Sequence, residues 1–149
     1  MPESFGAFVA EALEGVKRDA PACAASMARS IGTTRVDVHV DGETIAIWCE
    51  GAEIELARRE PPYLRTLAAT ASLTTTSRAL LDLLDGRRSL LSAVASNEVR
   101  VRARPVDAAG LFDALSRFVE GVARCNGAAS SIERFRRHVL DGELLGGDR

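Results

Sequence analysis

Phe5, Phe8, Val9, Ala12, Leu13 and Val16 recur at i, i+3, i+4, i+7, i+8 and i+11, the one-sided stripe of an amphipathic helix. Pro21 stops this helix and can sit in the first turn of a shorter, alanine-rich one that carries Cys23, Met27 and Ile31 and ends at Gly32. A helical hairpin is therefore expected ahead of the strands. The period then changes from 3.6 to 2. Val36, Val38 and Val40 alternate with Asp37, His39 and Asp41, and beyond Asp41-Gly42 the alternation resumes through Ile45, Ile47 and Cys49. This predicts a β-hairpin with a tight Asp-Gly turn. Glu50-Gly51 supplies the next turn, and Ile54 and Leu56 alternate with Glu53 and Glu55 in a third strand, so the meander should bury one face and wet the other.

Pro61-Pro62 interrupts the pattern, because proline donates no ladder hydrogen bond. Leu67 to Leu73 then reads as a fourth strand, with a small, mildly polar face of Thr66, Ala68, Thr70, Ser72 and Thr74. A Thr/Ser run that can cap a helix precedes Leu80, Leu81, Leu83 and Leu84, and Gly86 is its natural stop. Ser89 can cap a second short helix bearing Leu90, Leu91 and Val94, which Asn97 ends. Val99 and Val101, alternating with Arg100, Arg102 and Arg104, predict a fifth strand that Pro105 closes. Asp107 is the expected N-cap of the next helix, with Val106 and Leu111 as its hydrophobic staple and Leu111, Phe112, Leu115, Phe118, Val119 and Val122 as its stripe. Asn126-Gly127 ends that helix. Ser130 with Glu133 suggests a capping box for a last helix over about 130–141, containing Ile132, Phe135, Val139 and Leu140, with a tail that frays after Gly142.

This order of elements, and the segment from Ala71 to Gly121 in particular, resembles the sterol carrier protein 2 family of lipid-binding domains. Leu73-Thr74-Thr75-Thr76-Ser77-Arg78-Ala79-Leu80-Leu81-Asp82-Leu83-Leu84-Asp85-Gly86 is similar to that family's strand, leucine-rich helix and glycine. Leu91 to Val101 is similar to its short helix and last strand, and Leu111 to Phe118 to its closing helix. The chain departs where the family usually carries Gly-Lys before the last strand and Gly-Asp after it, having Asn97-Glu98 and Arg104-Pro105 instead. Asparagine tolerates the left-handed conformation, so the turn can survive the change. The resemblance spans roughly residues 10 to 122 and leaves the helix after Ser130 outside. It implies an α+β fold with a five-stranded, mainly antiparallel sheet covered by helices on one face, and a hydrophobic tunnel that takes sterols, fatty acyl chains or other lipids.

On that resemblance the tunnel would be lined by Leu80, Leu83, Leu84, Leu90, Leu91, Val94, Val99, Val101, Phe112, Leu115 and Phe118. Leucine-rich helices laid over a sheet face of alanine and threonine leave volume that larger side chains would fill, although a closed core accounts for the same residues. Arg100 and Arg102, with Arg87-Arg88 upstream, can hold a carboxylate or phosphate headgroup or form a solvated face that protects an edge strand. Trp48, the sole tryptophan, either packs under a helix or lines the tunnel; packing is favoured. The Ile132, Phe135, Val139 and Leu140 face must also be covered. It packs on the first helix through Phe5, Phe8 and Leu13, or on a symmetry mate in a dimer; the short Asn126-Gly127 turn favours the first.

Composition narrows the functional classes. At 149 residues and 46% hydrophobic content, one domain over 1–149 with one core is expected, without help from disulfides or metals. A net charge of −2 provides no global positive field for nucleic acid. No apolar run approaches the roughly 20 residues that span a bilayer, and the start lacks a basic leader, so a cytoplasmic address with no integral membrane segment is expected. All basic residues but Lys17 are arginines and alanine is abundant, which suggests a bacterial source. Cys23, Cys49 and Cys125 lack C-x-x-C spacing and read as small buried hydrophobes, while His39 and His138 have no partners at metal-ligand spacing. No metal, cofactor or catalytic residue is expected, and no nucleotide-binding or hydrolase motif is present. The leading expectation is a non-enzymatic module, monomer or homodimer, that binds or transfers an apolar small molecule or lipid. The alternative is an accessory or scaffold module of a biosynthetic pathway that binds a protein partner or shelters an apolar intermediate.

Overall fold

A computed structural model describes residues 5–32, 34–51, 53–57, 69–124 and 129–146. The elements run α1 (Phe5–Asp19), α2 (Pro21–Ile31), β1 (Thr34–Val40), β2 (Glu43–Glu50), β3 (Glu53–Ala57), β4 (Ala69–Thr75), α3 (Ser77–Leu84), α4 (Leu90–Ala95), β5 (Arg100–Arg102), α5 (Pro105–Arg124) and α6 (Ala129–Gly146). The fold is α+β, with one five-stranded sheet of order β3-β2-β1-β4-β5.

Local chemistry accounts for most boundaries. Asp41 and Gly42 both take positive φ, 50° and 85°, the twist that joins β1 to β2 in a two-residue hairpin. Pro21 occupies the first turn of α2, and Gly32 closes it at φ 60°. Thr76 and Ser89 accept hydrogen bonds from the Ala79 and Ser92 amides, capping α3 and α4. Asn97 adopts φ 63°, a conformation that glycine would take freely and asparagine tolerates.

Within the sheet, β2 pairs antiparallel with both β1 and β3, and β4 with β5, whereas β1 and β4 are parallel. Val36 thus lies between Ile47 and Ala71, and Val38 between Ile45 and Leu73. Val36, Val38, Val40, Ile45, Ile54 and Leu73 are buried on one face beneath α1, α2, α3 and α5. β4 begins at Ala69 and extends to Thr75, two residues past the end expected at Leu73. Thr66, Leu67, Ala68, Pro61-Pro62, Cys125 and Asn126-Gly127 lie outside the described residues.

Four expectations are corrected. Pro105, not the residues after Asp107, opens α5: the Arg104 carbonyl accepts from the Asp107 and Ala108 amides, so Asp107 sits inside the first turn. Proline needs no N–H partner and arrives with helical φ, so it outcompetes Asp107 as the start. Val106 is consequently 77% exposed and staples nothing. α6 begins at Ala129, one residue ahead of the expected Ser130 cap, and Glu133 pairs forward with Arg136 and Arg137 instead of closing a capping box. The same helix continues past Gly142 to Gly146, where a frayed tail was expected. Finally, the sheet face away from the main core is not wholly wet. Trp48 and Ala46 are buried there beside half-buried Ala57, so the tryptophan packs, but neither under a core helix nor in the main core.

Candidate ligand cavity

Between the sheet and the helices the packing is incomplete. A cavity of about 90 Å³ lies among Phe5, Val9 and Leu13 of α1, Met27 and Ile31 of α2, Leu80 and Leu83 of α3, and Leu111, Ala114, Leu115 and Phe118 of α5. Its floor is the sheet, through Val36, Val38, Ile45, Ile47, Ile54, Leu73 and Thr75, with Val99 at the approach to β5. Among the described residues Thr75 is the sole polar one in the lining, and its hydroxyl is already spent as a donor to the Glu98 carbonyl at 2.8 Å. A site with no unmet donor or charge offers dispersion and dehydration alone.

Of the residues expected at a tunnel, the cavity brings together Leu80, Leu83, Val99, Leu115 and Phe118. Leu84, Leu90, Val94 and Val101 pack against the core from its margins, and Phe112 is half-buried on α5. Leu91 is 71% exposed on the outer side of α4. Arg100 and Arg102 are not at the cavity. They alternate with Val101 and sit opposite Thr74 and Ser72, which places them on the far face of the sheet. Arg88 is engaged with Glu98 and Arg104 with Asp107.

The α1 and α2 lining was not assigned to a site from sequence. A signal was present: α1 buries Phe5, Phe8, Val9, Ala12, Leu13 and Val16, an arc wide enough for two neighbours. The Phe5, Val9 and Leu13 row lines the cavity. Phe8 instead meets Phe135 of α6, and neither ring has any exposed surface.

Two walls are held firmly. In α1 the first-turn amides of Phe5 and Gly6 donate to the Glu43 carboxylate at 3.1 and 2.9 Å, and at its other end Lys17 donates to the Ile54 carbonyl at 2.8 Å. Glu43 thus places a negative charge where the helix dipole favours one. Between α2 and α5, Ser30 bonds Asp113, and Gly110 lies so close to the Ser30 carbonyl that no Cβ would fit.

Cys23 and Cys49, expected as small buried hydrophobes, are only partly buried. Burial pushes the Cys23 thiol up, against the opposing Arg117 charge, and burial likewise raises Cys49. Cys23 donates to the Arg117 carbonyl at 3.1 Å, and His39 Nδ1 lies 2.9 Å from the Thr44 hydroxyl. Among the described residues no group of three or more His, Cys, Asp or Glu is placed to hold a metal, and no helix is long and apolar enough to cross a membrane.

No protein-family model and no curated protein matches the sequence. Among solved structures, the chain is similar to the solution structure of a conserved hypothetical protein from Thermus thermophilus, described as a candidate sterol carrier protein. The two share 16% identity with a TM-score of 0.50, over 83% of this chain and 90% of that one. The likeness is one of fold. It agrees with the α+β sheet-and-helix architecture, and the match extends over most of that protein's length.

Proposed function

We propose that this chain binds an apolar ligand between its sheet and its helices and acts as a non-catalytic carrier in the manner of sterol-carrier-like domains. The observation that carries the reading is the composition of the cavity: every described lining residue but Thr75 is apolar, in a place where a domain of this size would normally close its core. The fold likeness to a candidate sterol carrier protein supports it.

Size limits what the cavity holds as it stands. An apolar cavity of roughly 150 Å³ accommodates benzene, and pockets for larger ligands run from about 300 Å³ upward. At about 90 Å³ the cavity takes a few carbons. A sterol or long acyl chain therefore requires a wall to move.

The test is native mass spectrometry of the purified chain with extraction of co-purified lipid, followed by titration with the uncharged fluorescent probe N-phenyl-1-naphthylamine. Saturable binding that Ala114→Leu abolishes while the fold is retained supports the proposal, because Ala114 lines the cavity and leucine would occupy it. No co-purified apolar molecule and no saturable probe binding would remove it, leaving the accessory-module alternative.

A further inference from the structure

If a larger ligand is to enter, one wall must yield, and the walls are unequal. The sheet is held by ladder hydrogen bonds, α1 by Glu43 and Lys17, and α2 and α5 by the close approach at Gly110. The remaining wall is α3, only 8 residues long, which contributes Leu80 and Leu83 and packs mainly on α5 and α6. Its N-terminus is pinned: Thr76 caps it, and the Ser77 amide donates to Asp41 at 3.1 Å. Its C-terminal end is followed by Gly86 at φ 72° and is tied from outside by the ion pair of Asp85 with Arg136 of α6. Arg136 also holds Glu133 on its own helix at 2.7 Å.

α6 itself is seated elsewhere. Phe135 is buried against Phe8, and Arg134 pairs with Glu11, so the helix rests on the outer side of α1, and among its described side chains none lines the cavity. It thereby bridges α1 to α3, which is held otherwise by its capped N-terminus and by the burial of Leu80, Leu81 and Leu83. We propose that α6 is a clasp: seated on α1 through Phe135, it holds α3 closed through Arg136 and Asp85, and release of that ion pair lets α3 swing about its pinned N-terminus to enlarge the cavity. Both charges are half-buried, with side chains 32% and 18% exposed, so the tie is shielded from full solvent screening yet can re-form in water. Local opening of a short element costs less than global unfolding, which permits such motion within the native state.

The gating role rests on the ligand reading above, whereas the motion of α3 does not, and the experiment separates them. Arg136→Gln, Asp85→Asn and the double variant are compared with the unmodified chain by hydrogen–deuterium exchange and by stopped-flow binding of N-phenyl-1-naphthylamine. Amides of α3 are expected to exchange about fivefold faster in either single variant while those of α1 and the sheet are unchanged, with the double variant no faster than the singles, as a shared contact requires. Probe association should accelerate by a similar factor. Unchanged α3 exchange in both single variants overturns the clasp, whatever the probe does. Faster α3 exchange with probe binding at an unchanged rate overturns gating but leaves the ligand reading standing. Faster exchange with no probe bound by any form overturns both.

Discussion

Phe8 and Phe135 stack with ring centroids 4.3 Å apart and planes inclined by 10°, and both rings are completely buried. The contact joins α6 to α1 within one chain, so Phe135 on the apolar face of the last helix is covered there by α1. Leu140, at the margin of that face, remains 42% exposed. The pair ties the C-terminal helix to the same element whose inner row lines the cavity.

Replacing Phe135 by alanine removes the ring from a fully buried site and is expected to cost about 3–5 kcal/mol of stability. Equilibrium urea unfolding reads this directly. A loss below about 1 kcal/mol, together with a concentration-dependent melting temperature, would mean that the helix is held by another copy.

Gly110→Ala should destabilise the chain more than Gly121→Ala. A Cβ at Gly110 meets the Ser30 carbonyl, which is backbone, whereas one at Gly121 meets the Cys23 sulfur at 3.0 Å and Val16 methyls at 3.2 and 3.3 Å, which are side chains. Separating α2 from α5 is expected to cost about 1–3 kcal/mol. Thermal melts of the two variants decide it, and equal losses would contradict the backbone collision.

Acid should expose the role of Asp107. A hydrogen bond from Arg104 holds its carboxyl below the usual carboxylate range, and Thr34 adds a second bond. A group with a depressed folded-state pKa contributes stability above its unfolded pKa and loses it as pH falls through the folded value. The stability difference between the unmodified chain and Asp107→Asn should accordingly be largest near neutrality and shrink as pH drops through and below the carboxylate range. A difference independent of pH from 7 down to about 2 would assign the effect to the lost hydrogen bonds alone.

Thiol reagents should find Cys23 and Cys49 slow. Burial raises both thiols, leaving little thiolate near neutral pH. In a Cys125→Ser background, reaction with Ellman's reagent at pH 7.5 is expected to lag well behind a free thiol and to become rapid on addition of denaturant. Immediate reaction of either thiol in the folded chain would contradict the burial argument.

The sequence by itself determined what depends on neighbours along the chain. Alternation placed β1, β2, β3 and β5, because period 2 forces alternate side chains to opposite faces, and Asp41-Gly42 specified its turn because both positions need positive φ. Thr76, Ser89 and Gly32 marked helix ends through the amides and conformations they satisfy. The Phe135 face announced a need for cover, on α1 or on a symmetry mate, and the short Asn126-Gly127 turn favoured α1. What only the tertiary structure decided involves groups far apart in sequence. Periodicity states that Trp48 and Ile47 point oppositely but not that both faces find cover. It could not reveal that Glu43 would cap α1, that β4 would pair in parallel with β1, or that Arg100 and Arg102 would sit across the sheet from the cavity. Nor could it separate Leu80 and Leu83, which line the cavity, from Leu84 and Leu91, which do not. A stripe fixes the direction of a side chain relative to its own helix axis. A cavity is the volume left between helices and sheet after they dock, and that remainder depends on crossing angles and separations that no local spacing encodes.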